Sequence, residues 1–161
     1  MNPVYKSERR AQAVRAAYDA ALAYWPEGLT RKTVATPAGD THVLVCGRED
    51  APPLVLLHGA QSTAASWQRQ ADAWAGQFRI HAIDLTGEAG LSAPARLPLD
   101  GDAHAAWLEA VLDGLGITRA AFCGISLGAW MALDFAVRRP ARVARLALLC
   151  PSGIGRQKNM L

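Results

Sequence analysis

Gly124-Ile125-Ser126-Leu127-Gly128 stands between the apolar run Ala120-Ala121-Phe122-Cys123 and a helix-like stretch that opens Ala129-Trp130-Met131-Ala132-Leu133. A strand that passes into a helix through one serine, with glycine two places to either side, makes a sharp bend. Only residues without a bulky side chain fit at the glycine positions, and the serine is forced into strained backbone geometry with its hydroxyl raised above the sheet. The pattern therefore predicts a parallel sheet that carries a candidate nucleophile, Ser126, at its carboxyl edge. The free N–H groups that open the following helix, beginning with Leu127, face the place where negative charge would collect on a substrate oxygen.

The rest of the chain predicts the sheet around this bend. Residues 54–57 are apolar on both faces, as in a buried parallel strand, and His58-Gly59-Ala60-Gln61 follows at once. Residues 30–36 and 41–46, rich in Thr and Val, flank Pro37-Ala38-Gly39-Asp40 and read as a hairpin. Further strands are predicted at 79–85, 119–123 and 143–150. Helices are predicted at 66–77, 102–115 and 127–139, the last stopped by Pro140. An amphipathic helix over 7–25, ended by Pro26 and Gly28, precedes them. Its apolar stripe reads as a packing face. Hairpin followed by β-α-β-α-β-α-β argues an α/β architecture: a mostly parallel sheet with helices on both faces. The chain divides into an N-terminal helix, 1–28, and a core, 29–161, within one domain. The closing residues 156–161 have no element character of their own.

Composition narrows the function classes. A 161-residue chain that is 51% hydrophobic and 19% charged reads as globular. The net charge of +3 is spread thinly, without a basic block interleaved with aromatics, which argues against nucleic acid as a partner. Cys46, Cys123 and Cys150 have no paired spacing and read as small buried hydrophobes in a reducing compartment. The scattered histidines suggest no metal, and neither glycine-rich nucleotide motif is present, so no cofactor is expected. The N-terminus lacks an apolar leader and no run is long enough to span a bilayer; the expectation is a cytoplasmic protein without a membrane partner.

Three segments, Leu54-Val55-Leu56-Leu57-His58-Gly59, Asp84-Leu85-Thr86-Gly87-Glu88-Ala89-Gly90-Leu91-Ser92 and Gly124-Ile125-Ser126-Leu127-Gly128, together resemble the α/β-hydrolase superfamily in order and spacing. The resemblance covers residues 30–154, and its texture is similar to bacterial carboxylesterases of the AB hydrolase-1 type. It implies a fold cut off after about the sixth strand and a small-molecule ester substrate. Ser126 would be the acylated nucleophile, with an oxyanion hole from the backbone N–H of Ala60 and Leu127. Gln61 is an alternative donor there. Gly59, Gly124 and Gly128 would be the loop and elbow glycines, and Asp84 would brace its loop rather than react.

The departure from that family is as plain. Its triad runs serine, acid, histidine in chain order. His42, His58, His81 and His104 all precede Ser126, and the expectation is that neither the triad acid nor its histidine lies in this chain. His58 reads as a structural hydrogen-bonder. The alternative is therefore a catalytically dead remnant or an interaction module that keeps the fold. An exposed strand at 143–150 would invite self-association or completion by a partner segment.

Overall fold

The computed structural model describes residues 4–153. Helix α1 (Glu8–Leu22) leads to a hairpin of β1 (Thr30–Thr36) and β2 (Gly39–Cys46). Strand β3 (Pro53–Leu57) is followed by a 3₁₀ turn (Ala64–Trp67) that runs into α2 (Gln68–Trp74). Then come β4 (Arg79–Ile83), α3 (Ala103–Gly114), β5 (Ala120–Ile125), α4 (Leu127–Arg138) and β6 (Val143–Leu149). The six strands lie in the order β1-β2-β4-β3-β5-β6. β1 and β2 are antiparallel to their neighbours, and β3, β4, β5 and β6 run parallel. Residues 156–161 lie outside the described residues.

Each strand row shows why both faces had to be apolar. Val55 stands opposite His81 on one side and Phe122 on the other. That row joins Leu108, Val111, Leu112 and Phe135 in the layer made with α3 and α4. The alternate row, with Leu44, Ala82 and Leu56, packs with Tyr18, Trp67 and Ala71 of the α1–α2 layer. Trp67 and Trp74 both belong to that second layer. The segment 66–77 departs from one regular helix. Its first turn is 3₁₀ and starts at Ala64, because the Ala64 N–H is tied to the Asp84 carboxylate at 2.7 Å. At the far edge, β6 pairs only with β5 among the described strands. Cys150, just past its last paired residue, is exposed rather than buried, with φ 46°.

His81 gives the fold a pH dependence. It is nearly buried in the α3–α4 layer, and its Nδ1 has no hydrogen-bond partner among the described residues. Burial first, then Arg79 and Lys32, pull its pKa down to about 4. Burial likewise lowers that of His58. Both imidazoles are thus neutral in the folded state where an unfolded histidine, with a pKa of about 6.5, takes up a proton. For His81, stability is full above about pH 6.5 and falls as the pH drops toward 4, by about 1.4 kcal/mol per pH unit. His58 acts in the same direction. Urea unfolding at pH 7 and pH 5 should show the loss. His81→Leu, which removes an orphaned polar atom, should flatten part of it and raise the midpoint at pH 5.

Among the described residues no helix is long and apolar enough to cross a membrane, and no cluster of His, Cys, Asp or Glu is arranged to hold a metal ion.

Candidate active site

Three chain segments converge beyond the carboxyl ends of β3, β4 and β5. The first is the β5–α4 junction. Ser126 has φ 53° and ψ −112°, a conformation that L-residues occupy only when their surroundings hold them there. Its N–H donates to Leu149 O at 2.9 Å, and its carbonyl accepts from Trp130 N at 3.0 Å and Ser152 N at 3.2 Å. Gly124 and Gly128 are forced by contact. A Cβ on Gly124 would stand 2.6 Å from Ala129 N, and one on Gly128 would stand 2.6 Å from His58 O.

The second segment is the loop after β3. A Cβ on Gly59 would lie 3.5 Å from Ser126 Cβ, so this backbone runs directly alongside the serine. Ala60 N–H makes no hydrogen bond among the described residues. Gln61, at φ 58°, differs: its N–H donates to Glu88 Oε2 at 2.7 Å. His58 is wholly buried. Its Nε2 accepts from Leu85 N at 3.0 Å while Nδ1–H donates to Gly59 O at 2.8 Å, the neutral tautomer these partners require. Both ring nitrogens are occupied in holding loops, as expected for a structural role.

The third segment is the loop after β4, organised by Asp84. Its buried carboxylate accepts from Ala64 N (2.7 Å), Leu91 N (3.1 Å), Tyr18 Oη (2.9 Å) and His42 Nδ1 (3.2 Å). Ser92 Oγ donates to Asp84 O at 2.6 Å and accepts from His42 N at 2.9 Å. One side chain thereby ties α1, β2, the 3₁₀ turn and its own loop together. Burial first, then the Asp84 charge, pushes the Tyr18 phenol far above its ordinary range, so Tyr18 remains a donor.

Ser126 opens into a cavity of about 410 Å³ lined by Gly59, Ala60, Ser66, Trp67, Ile125 and Leu149. The side-chain partner of its hydroxyl among the described residues is Ser152 Oγ, at 3.0 Å. Ser152 was not foreseen from sequence; the only signal was its place just past β6. No imidazole reaches Ser126. His104 packs edge-on against Trp130, with ring centroids 5.2 Å apart. The stretch after Ser126 contains one carboxylate, Asp134. It sits two turns along α4 and binds Arg138 Nε at 2.7 Å.

A family model for the α/β hydrolase fold matches residues 52–160. The chain belongs to the α/β-hydrolase fold family. Among its relatives in that family is carboxylesterase YbfK of Bacillus subtilis, 37% identical over 136 residues, which span 84% of this chain and 46% of the relative. The crystal structure of naproxen esterase from Bacillus subtilis matches with a TM-score of 0.82 at 36% identity, over 91% of this chain and 51% of that one. That of carboxylesterase CesB (YbfK) matches at 0.83 and 35%, over 89% and 50%. The chain thus spans about half the length of these α/β hydrolases.

Proposed function

We propose that this chain carries the nucleophile half of a serine esterase: Ser126 attacks a carboxylic ester and forms an acyl-enzyme, with the developing oxyanion held by the N–H groups of Ala60 and Leu127. One observation carries the reading. Ser126 is held at positive φ at the mouth of α4, beside the Gly59–Ala60 backbone. The unoccupied Ala60 N–H supports its role as donor, whereas the Gln61 N–H already serves Glu88. Relatives named as carboxylesterases support ester chemistry over the other reactions an elbow serine performs.

The hydroxyl needs a base to become an effective nucleophile. Its neighbour Ser152 is not one, and this observation favours the second reading, a fold that has kept the elbow without the reaction. A fluorophosphonate probe separates the two. Slow labelling of folded protein at one site, abolished in Ser126→Ala, is the expected result. Turnover of the chain alone should stay within roughly 10³–10⁴ of the uncatalysed rate, the level left to binding and oxyanion contacts when a triad is incomplete. Absence of labelling in protein with native circular dichroism would favour the silent fold.

A further inference from the structure

A second cavity, about 560 Å³, is lined by Ala60 and Gln61. Ala60 lines both it and the Ser126 cavity. Its walls come from the N-terminal segment, the first turns of α1 and the loop after β4, and three cations line it: Lys6, Arg10 and Arg96. The segment before α1 is anchored there, since Gly90 N donates to Tyr5 Oη at 3.1 Å and Tyr5 Oη donates back to Gly90 O at 3.3 Å.

The cations that line this cavity have no carboxylate paired with them, a state they share with Arg9, Lys32, Arg69, Arg119 and Arg145 among the described residues. Seven other arginines, Arg15, Arg31, Arg48, Arg79, Arg138, Arg139 and Arg142, are paired. The carboxylate that lines the cavity, Glu88, is turned to the Gln61 N–H at 2.7 Å. Three cations against one anion leave a net positive pocket within the size range of small-molecule sites. Guanidinium groups there match a carboxylate, which they bind through paired N–H donors.

We propose that this cavity receives a second, anionic group of the substrate. The preferred esters then carry a free carboxylate in addition to the ester over Ser126, as a half-ester of a dicarboxylic acid does. Resting on the esterase reading above, the inference names the substrate class. Ala60, which borders both cavities, would sit between the two ends of such a molecule, its N–H facing the ester.

Two alkyl p-nitrophenyl phosphonates of equal chain length, one ending in methyl and one in carboxylate, test this on the full chain. Labelling of Ser126 is followed by intact mass. At low salt the carboxylate-tailed reagent should react about tenfold faster, a preference that shrinks in 0.5 M NaCl as the charges are screened. In Arg10→Gln/Arg96→Gln the ratio of the two rates should fall to about one. Arg9→Gln, an equal charge change per residue outside the cavity, should keep it. Equal rates in the parent chain overturn the anionic subsite and leave the esterase reading standing. If neither reagent labels Ser126 the esterase reading fails. The cavity is then judged by calorimetric binding of monomethyl adipate, which the double variant should weaken at least several-fold. Binding indifferent to Arg10 and Arg96 overturns it.

Discussion

Replacing Asp84 with alanine should cost about 4 kcal/mol, a large share of the stability of a domain of this size. The estimate follows from what the carboxylate does. It is fully buried and accepts hydrogen bonds from Tyr18, His42, Ala64 and Leu91, which belong to four different segments. Deletion takes the acceptor from four donors, three of them buried, each worth about 1–3 kcal/mol when nothing replaces it. The Tyr18 hydroxyl can still turn to His42 Nδ1 at 3.3 Å, and a charge is no longer buried, so the sum is partly offset. A domain of this size has only about 5–15 kcal/mol in total. Urea unfolding followed by tryptophan fluorescence would measure the loss. Asp84→Asn keeps an acceptor for Ala64 N or Leu91 N but turns an amide donor toward the others, and should fall between the two. Tyr18→Phe removes one donor and its share only, about 1 kcal/mol. The same variants should slow labelling of Ser126, since Ala64 anchors the end of the loop that carries Gly59, Ala60 and Gln61. If Asp84→Ala unfolds at the parent's urea midpoint, the carboxylate is not the tie between these loops.

The same network marks the boundary between what sequence discloses and what it hides. Local patterns were enough for the elements: four apolar residues at 54–57 require a strand covered on both faces, and two Thr/Val runs around Pro37-Ala38-Gly39-Asp40 require a hairpin. Both stand where expected. The bend at Ser126 was legible because its constraint is local; a glycine two residues away on each side is a statement about immediate backbone contact. The Tyr18–Asp84 bond, the Glu88–Gln61 bond and the Ser126–Ser152 contact join positions 66, 27 and 26 residues apart. No periodicity records such a pairing. The 3₁₀ start at Ala64 has the same origin, since its first turn answers to a carboxylate in the loop after β4. His81 was hidden for a related reason. Its row in the sheet, beside Val45 and Val55, can be read only once the register is known.

Gly128→Ala should be among the most damaging changes of a single methyl in the chain. The added carbon would fall far inside van der Waals contact of Leu57 O and 2.6 Å from His58 O. Those are backbone atoms at the end of β3, in the centre of the sheet, so the clash cannot be relieved by turning a side chain. Relief requires α4 to withdraw from β3, which opens the layer built on Met131, Ala132 and Phe135 and moves the first-turn N–H groups away from Ala60. Overpacking of ordinary core positions costs about 1–3 kcal/mol; a rigid backbone contact belongs at or above the top of that range. The expected outcome is protein recovered mainly in the insoluble fraction, with any soluble remainder showing a urea midpoint far below the parent's. Gly76→Ala supplies the control, because a Cβ there meets nothing within 4 Å, and its effect should stay within about 0.5 kcal/mol. Gly59→Ala divides fold from site: its methyl would rest at 3.5 Å from Ser126 Cβ, an ordinary contact, so the protein should fold while labelling of the serine slows. A Gly128→Ala protein that unfolds with the parent would mean that α4 does not enter the sheet as closely as this geometry requires, and the positive φ of Ser126 would lose its structural cause.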